Sequence, residues 1–174
     1  MAETPKWDSI RKKVIEYSKI SNIDGLMDVL RELVRLSELG LVDLNTIKVA
    51  VNITGNQILD GKLVDSIRTF RDLLVYLNKL IPELSELESV QYSLIKCDVA
   101  LDALPAALKL AQNCTEPRGR MFTAILRECA QTGNQHMAFE TLVAMEKRDL
   151  IPSEDDYGHL VESSKNSSDF SALL

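Results

Sequence analysis

The chain has 174 residues, 45% apolar, 26% charged and 5% aromatic, enough for one continuous core and unlike a membrane-spanning or low-complexity protein. Seven Gly and five Pro leave too little turn chemistry for a many-stranded sandwich or barrel. A net charge of −6 excludes a grip on nucleic acid through an overall positive field, so any such binding must rest on a local patch.

Apolar spacings of three and four residues recur throughout and period-two alternation is almost absent, which predicts about ten helices. The first, near Trp7 to Tyr17, carries Trp7, Ile10, Val14 and Tyr17 on one face, and Ser21 is placed to cap a second from about Ile23 to Leu36. Leu39-Gly40 stops it. A third helix is expected from Thr46 to about Ile53, broken at Gly55 and Gly61. A fourth runs from Leu63 to about Leu80 with Ile67, Phe70, Leu74 and Leu77 on one face, and Pro82 ends it.

Ser85-Glu86-Leu87-Glu88 reads as a capping box opening a fifth helix with Val90, Leu94, Ile95 and Val99. Pro105 suits the first turn of a sixth, ending near Asn113, because the N–H it lacks is unpaired there anyway. After the loop 113–117, a seventh helix is expected from about Arg120 to Gln131, a turn at Thr132-Gly133, and an eighth from about Gln135 to Lys147. Ser153 caps a ninth, and Ser163 to Ser168 separates it from a last short turn.

Cys97, Cys114 and Cys129 are odd in number, with no C-x-x-C and only His136 and His159 beside them, so neither a disulfide framework nor a zinc site is signalled. Reducing, intracellular conditions are expected; Cys129 reads as a small core residue on the buried face of its helix, and Cys97 and Cys114 carry no reactive context. The start MAETPKWDSIRKK has no apolar signal region, and Glu3 and Asp8 are unlike an acid-poor transit peptide. No phosphate loop, H-E-x-x-H, G-x-S-x-G or dinucleotide fingerprint occurs, so no catalytic residue and no cofactor is expected. Glu154-Asp155-Asp156 is explained by the helix dipole alone, and no metal is expected there.

Paired helices joined by short turns suggest stacked hairpins, and one internal period is sharp. Phe122, Gly133, Ala138, Met145, Pro152 and Tyr157 follow without a gap, and Phe122 to Tyr157 spans 35 residues. Gly133 permits a left-handed turn, Ala138 lets two helices approach, and Met145 fills the gap between hairpins. On these residues the segment 122–161 resembles a pentatricopeptide repeat. The segments 59–73, 92–111 and 21–33 match that pattern in part. TEPRGRMFTAILRECAQTGNQHMAFE further resembles the later repeats of the RNA-binding half of protein-only RNase P.

The resemblance implies an all-α, right-handed superhelix of helix-turn-helix hairpins in a single domain, 1–174. Its degenerate hairpins would be 7–38, 46–80 and 85–113, with a clear repeat at 119–153 and a partial one at 154–174. It also implies binding of single-stranded or tRNA-like RNA on the concave face, without catalysis, membrane or small-molecule substrate. Two rivals stand beside it: a protein-interaction scaffold of the same fold, and the substrate-binding part of a tRNA-processing nuclease, whose aspartate-rich catalytic half is not in this sequence. The family is mostly organellar, so a mitochondrion or other organelle is the default, with nucleus or cytoplasm open.

First helices line the concave face of a solenoid, so Arg11, Lys12, Lys13, Lys48, Lys96, Arg118, Arg120 and Arg127 are candidates for a phosphate track. Glu16, Glu86, Glu88, Asp98 and Glu128 share those helices. Carried over from the family, the two base-reading positions are Thr123 and Ser153, and Arg120 stands where an aliphatic residue is usual. Ser153 departs from the usual Asp or Asn, which points to shape and phosphate recognition in place of base readout.

Overall fold

The computed structural model describes residues 4–166. Among them are nine α-helices: α1 (Trp7–Lys19), α2 (Ile23–Glu38), α3 (Leu44–Asp60), α4 (Val64–Leu80), α5 (Glu88–Ala100), α6 (Leu104–Asn113), α7 (Gly119–Thr132), α8 (Gln135–Lys147) and α9 (Glu154–Lys165). A short 3-10 turn, Pro82–Glu86, precedes α5. No strand occurs among the described residues, and the last short turn expected after Ser168 lies outside them.

Each odd helix packs on the next odd one: α1 on α3, α3 on α5, α5 on α7 and α7 on α9. The even helices form the second layer, α2 against α4 and α6 against α8. This is an α-solenoid of hairpins. Its core falls into two clusters that meet at α5. Val90, Leu94 and Cys97 join the cluster of α1 to α4, whereas Ile95 joins that of α6 to α8. Phe70 and Phe122, both fully buried, anchor the two halves.

The turn inside each hairpin rests on one left-handed residue: Ser21 (φ 53°), Lys62 (φ 52°), Asp102 (φ 58°) and Gly133 (φ 70°). Only the last is glycine. At Gly133 the conformation is free of strain, and its N–H and that of Asn134 both donate to the Cys129 carbonyl, closing α7. Lys62 adopts the same conformation at a cost of about 1–2 kcal/mol. Between hairpins, Gly40 (φ 80°) plays the same part after α2.

Three local expectations are corrected. Ser21 does not cap α2; it makes the turn, and the Asn22 side chain accepts from Gly25 N–H instead. Gly55 does not break α3, which runs on to Asp60: a Cβ there would lie 3.1 Å from Phe70 Cζ, so glycine serves the close approach of α3 and α4. Ser85 forms no capping box with Glu88, because its hydroxyl donates to the Pro82 carbonyl within the 3-10 turn and α5 starts uncapped. Ser153 does cap α9, in a full capping box with Asp156.

Candidate functional site

On the face of the odd helices a groove runs from the α3–α4 turn across α5 and α7 to the start of α9. It comprises two adjoining hollows, of about 370 and 330 Å³, that share Tyr92, Ala124 and Arg127. The first brings Lys62 and Lys96 to Arg127, Glu128 and Gln131. The second brings Arg120 and Thr123 to Ile151, Ser153 and Asp156. Helical spacing explains the set: Tyr92 and Lys96, four apart on α5, face Arg120, Ala124 and Arg127 on α7.

Tyr92 is the centre of this groove. The Arg120 guanidinium lies 4.1 Å and the Lys96 ammonium 4.7 Å from its ring centroid, both within cation–π range. Arg120 is held there by Glu88, with Nε donating to Oε1 at 2.6 Å and Nη2 to Oε2, a bidentate fork. Lys96 Nζ donates to Asn56 Oδ1 at 3.1 Å. Partial burial, and then the neighbouring Arg120 charge, lower the Lys96 pKa from its ordinary value.

Thr123 and Ser153 both enter the groove, and Asp156 bonds the side chain of the first and the backbone and hydroxyl of the second. Asp156, 2% exposed, accepts from the Thr123 hydroxyl at 2.7 Å and from the Ser153 N–H at 2.9 Å. Its own N–H donates to Ser153 Oγ at 3.1 Å. Asp156 thereby turns away from the exposed Glu154 and Asp155, and no group of three or more possible metal ligands occurs among the described residues.

The other candidates lie elsewhere. Arg118 is exposed at the N-cap of α7 and does not line the groove. Arg11 is tied to Asp8, Asp43 and Thr46, and with Lys12 it lines a separate depression beside Trp7. Lys48 is exposed outside the groove. Asp98, which shares α5 with Lys96, is buried against Arg71. Cys97 and Cys129 are buried, which pushes their thiols up to about 12 and leaves them unreactive. His136 is exposed and bonds Glu140 at 2.8 Å.

Sequence reasoning missed Tyr92 and Lys62 as groove residues. Tyr92 carried a usable signal, an aromatic one helical turn before a lysine. Lys62 carried none, because it reaches the groove through a left-handed turn that glycine usually makes.

The pentatricopeptide repeat domain model matches residues 111–166, about a third of the chain. No curated protein and no solved structure matches it. The match covers the loop before α7 and the helices α7, α8 and α9, the same stretch in which Phe122, Ala138 and Met145 are buried around the Gly133 turn. Over residues 111–166 the chain is similar to a pentatricopeptide repeat domain, and its described residues form a helical-repeat fold.

Proposed function

We propose that the chain binds single-stranded RNA, or a single-stranded part of a tRNA-like RNA, in the groove over α5 and α7, without chemistry of its own. The observation that carries the reading is the cluster of Lys62, Lys96, Arg120 and Arg127 around Tyr92 on the repeat face of an otherwise acidic molecule. The four cations stand among Glu88, Glu128, Asp156 and Asp60, which acts on Lys96, and together they offer a line of donors for a phosphate backbone.

Recognition is by phosphate and stacking. The Thr123 hydroxyl donates to Asp156 and the Ser153 hydroxyl accepts the Asp156 N–H, so Thr123 has no donor left for a base edge and Ser153 keeps only its own O–H. A base stacks at Tyr92 once a phosphate draws Arg120 or Lys96 off the ring. Ile151, 92% exposed at the groove rim, adds apolar surface for a second base.

The test is fluorescence anisotropy with a labelled single-stranded RNA across a salt series. Binding through n phosphates weakens with a log–log slope of about −0.7n. A slope near zero with RNA, or no binding, leaves the protein-scaffold reading as the better one.

A further inference from the structure

The layer of even helices is interrupted at its middle. α2 packs on α4 and α6 on α8, but α4 and α6 do not pack closely, and a cleft of about 260 Å³ opens between them with α5 as its floor. Its lining shares no residue with the groove on the other face.

Arg71 of α4 reaches across this floor to Asp98 of α5, Nε donating to Oδ1 at 2.5 Å. The Asp98 side chain is 2% exposed, and its Oδ2 has no partner among the described residues. A buried carboxylate of this kind fixes the arginine in place, because freeing it would strand an unpaired charge. Yet it uses one of the five guanidinium donors. The Nη groups of Arg71 have no acceptor among the described residues, and the side chain is 32% exposed at the cleft.

Lys109 stands on the opposite wall, on α6, and Val75, Leu94 and Leu110 supply the remaining surface. Among the lining residues Asp98 offsets Arg71, so Lys109 leaves one positive charge in excess, with the exposed Asp72 acting on Arg71 from outside the lining. That excess, a pre-oriented fork and apolar walls together suit a monoanion with an apolar body. A phosphate would lose hydration that these walls cannot replace, and a cation would meet Arg71 and Lys109. A cleft of about 260 Å³, open to solvent on one side, suits a short body of roughly four to six carbons.

We propose that this cleft binds a carboxylate on a short aliphatic stem, the carboxylate accepting from Arg71 and Lys109 and the stem lying against Val75, Leu94 and Leu110. The same chemistry is presented by a free monocarboxylate and by the C-terminal leucine of a peptide.

Hexanoate is the probe, titrated at constant ionic strength into the isotope-labelled full chain and followed by NMR. Expected are saturable shifts of the Arg71 Nε–H and of the amides around Lys109, with hexylamine and hexanol giving none. Ala106→Trp, at an exposed position on the cleft wall, removes saturation, and Lys109→Ala weakens binding at least about threefold by removing one charge-assisted contact. Both variants leave the Arg71–Asp98 pair intact and keep the melting temperature. Tighter binding of an acetylated peptide ending in leucine assigns the site to a peptide terminus, and tighter binding of hexanoate assigns it to a free acid. Equal shifts with hexanol or hexylamine, no saturable shift, or indifference to Ala106→Trp would overturn the proposal.

Discussion

Replacing Asp156 by alanine tests how the last helix is held to the repeat. The carboxylate accepts from the Ser153 N–H and the Thr123 hydroxyl while almost fully buried, and so fastens the start of α9 to α7. Loss of the cap costs about 1 kcal/mol, and loss of a buried hydrogen bond to a charged group about 1.5–3 kcal/mol. The Thr123 hydroxyl keeps a bond to the Gly119 carbonyl at 3.1 Å, which softens the second figure. A total of about 2–4 kcal/mol lowers the melting temperature by roughly 4–16 °C in a chain of this size. Because α9 is the last described helix, hydrogen exchange should report the loss first in the amides of α9 and only later in α3 to α5. Asp156→Asn keeps one acceptor oxygen and should lose about half as much. A melting temperature within about 1 °C of wild type for Asp156→Ala, with α9 equally protected, would refute the reasoning.

Gly133→Val forces a β-branched residue to φ 70° and should cost about 1 kcal/mol or more, read as a lower melting temperature. Lys62→Gly relieves the strained left-handed turn after α3 and should raise stability by about 0.5–1 kcal/mol in denaturant melts. The Cys97 and Cys129 thiols, held up at about 12, should stay unmodified by a disulfide reagent at pH 8 and react only in denaturant; rapid native reaction would contradict their burial. The Thr46 hydroxyl, followed by the Thr46 N–H and Arg11, holds the Asp43 carboxyl below its ordinary value of 3.8. Its stabilisation is therefore full above that pH and lost as pH falls through the depressed value. Asp43→Asn should flatten the acid limb of the stability curve.

The helices and the last repeat were readable because their signals are local. Ile67, Phe70, Leu74 and Leu77 mark the buried face of α4 by spacing alone, and Gly133 marks its turn by being the residue that adopts positive φ without cost. The earlier hairpins hid their period for two reasons. Lys62 and Asp102 make left-handed turns that composition does not announce, and α3 and α4 run to 17 residues each against 14 and 13 in α7 and α8. Capping by Ser21 and by Ser85 was not legible, because Ser21 takes the left-handed turn and leaves the cap to Asn22, and the Ser85 hydroxyl is used inside the 3-10 turn. The groove was half legible. Arg120 and Arg127 follow from their helix, whereas the Arg120–Glu88 and Thr123–Asp156 contacts join residues 32 and 33 apart, which no local pattern encodes.

The central claim, RNA held in the α5–α7 groove by charge and stacking, is tested most directly by one titration: a labelled single-stranded RNA against wild type and the Arg120→Ala/Arg127→Ala variant across a salt series. The account predicts that the variant binds more than about tenfold more weakly at low salt. It also predicts a salt slope flatter by about 1.4, which is 0.7 for each lost phosphate contact. Helix content should stay the same, because neither side chain belongs to a core cluster. Equal affinity and equal slope for the two proteins, or no measurable affinity for either, would contradict it.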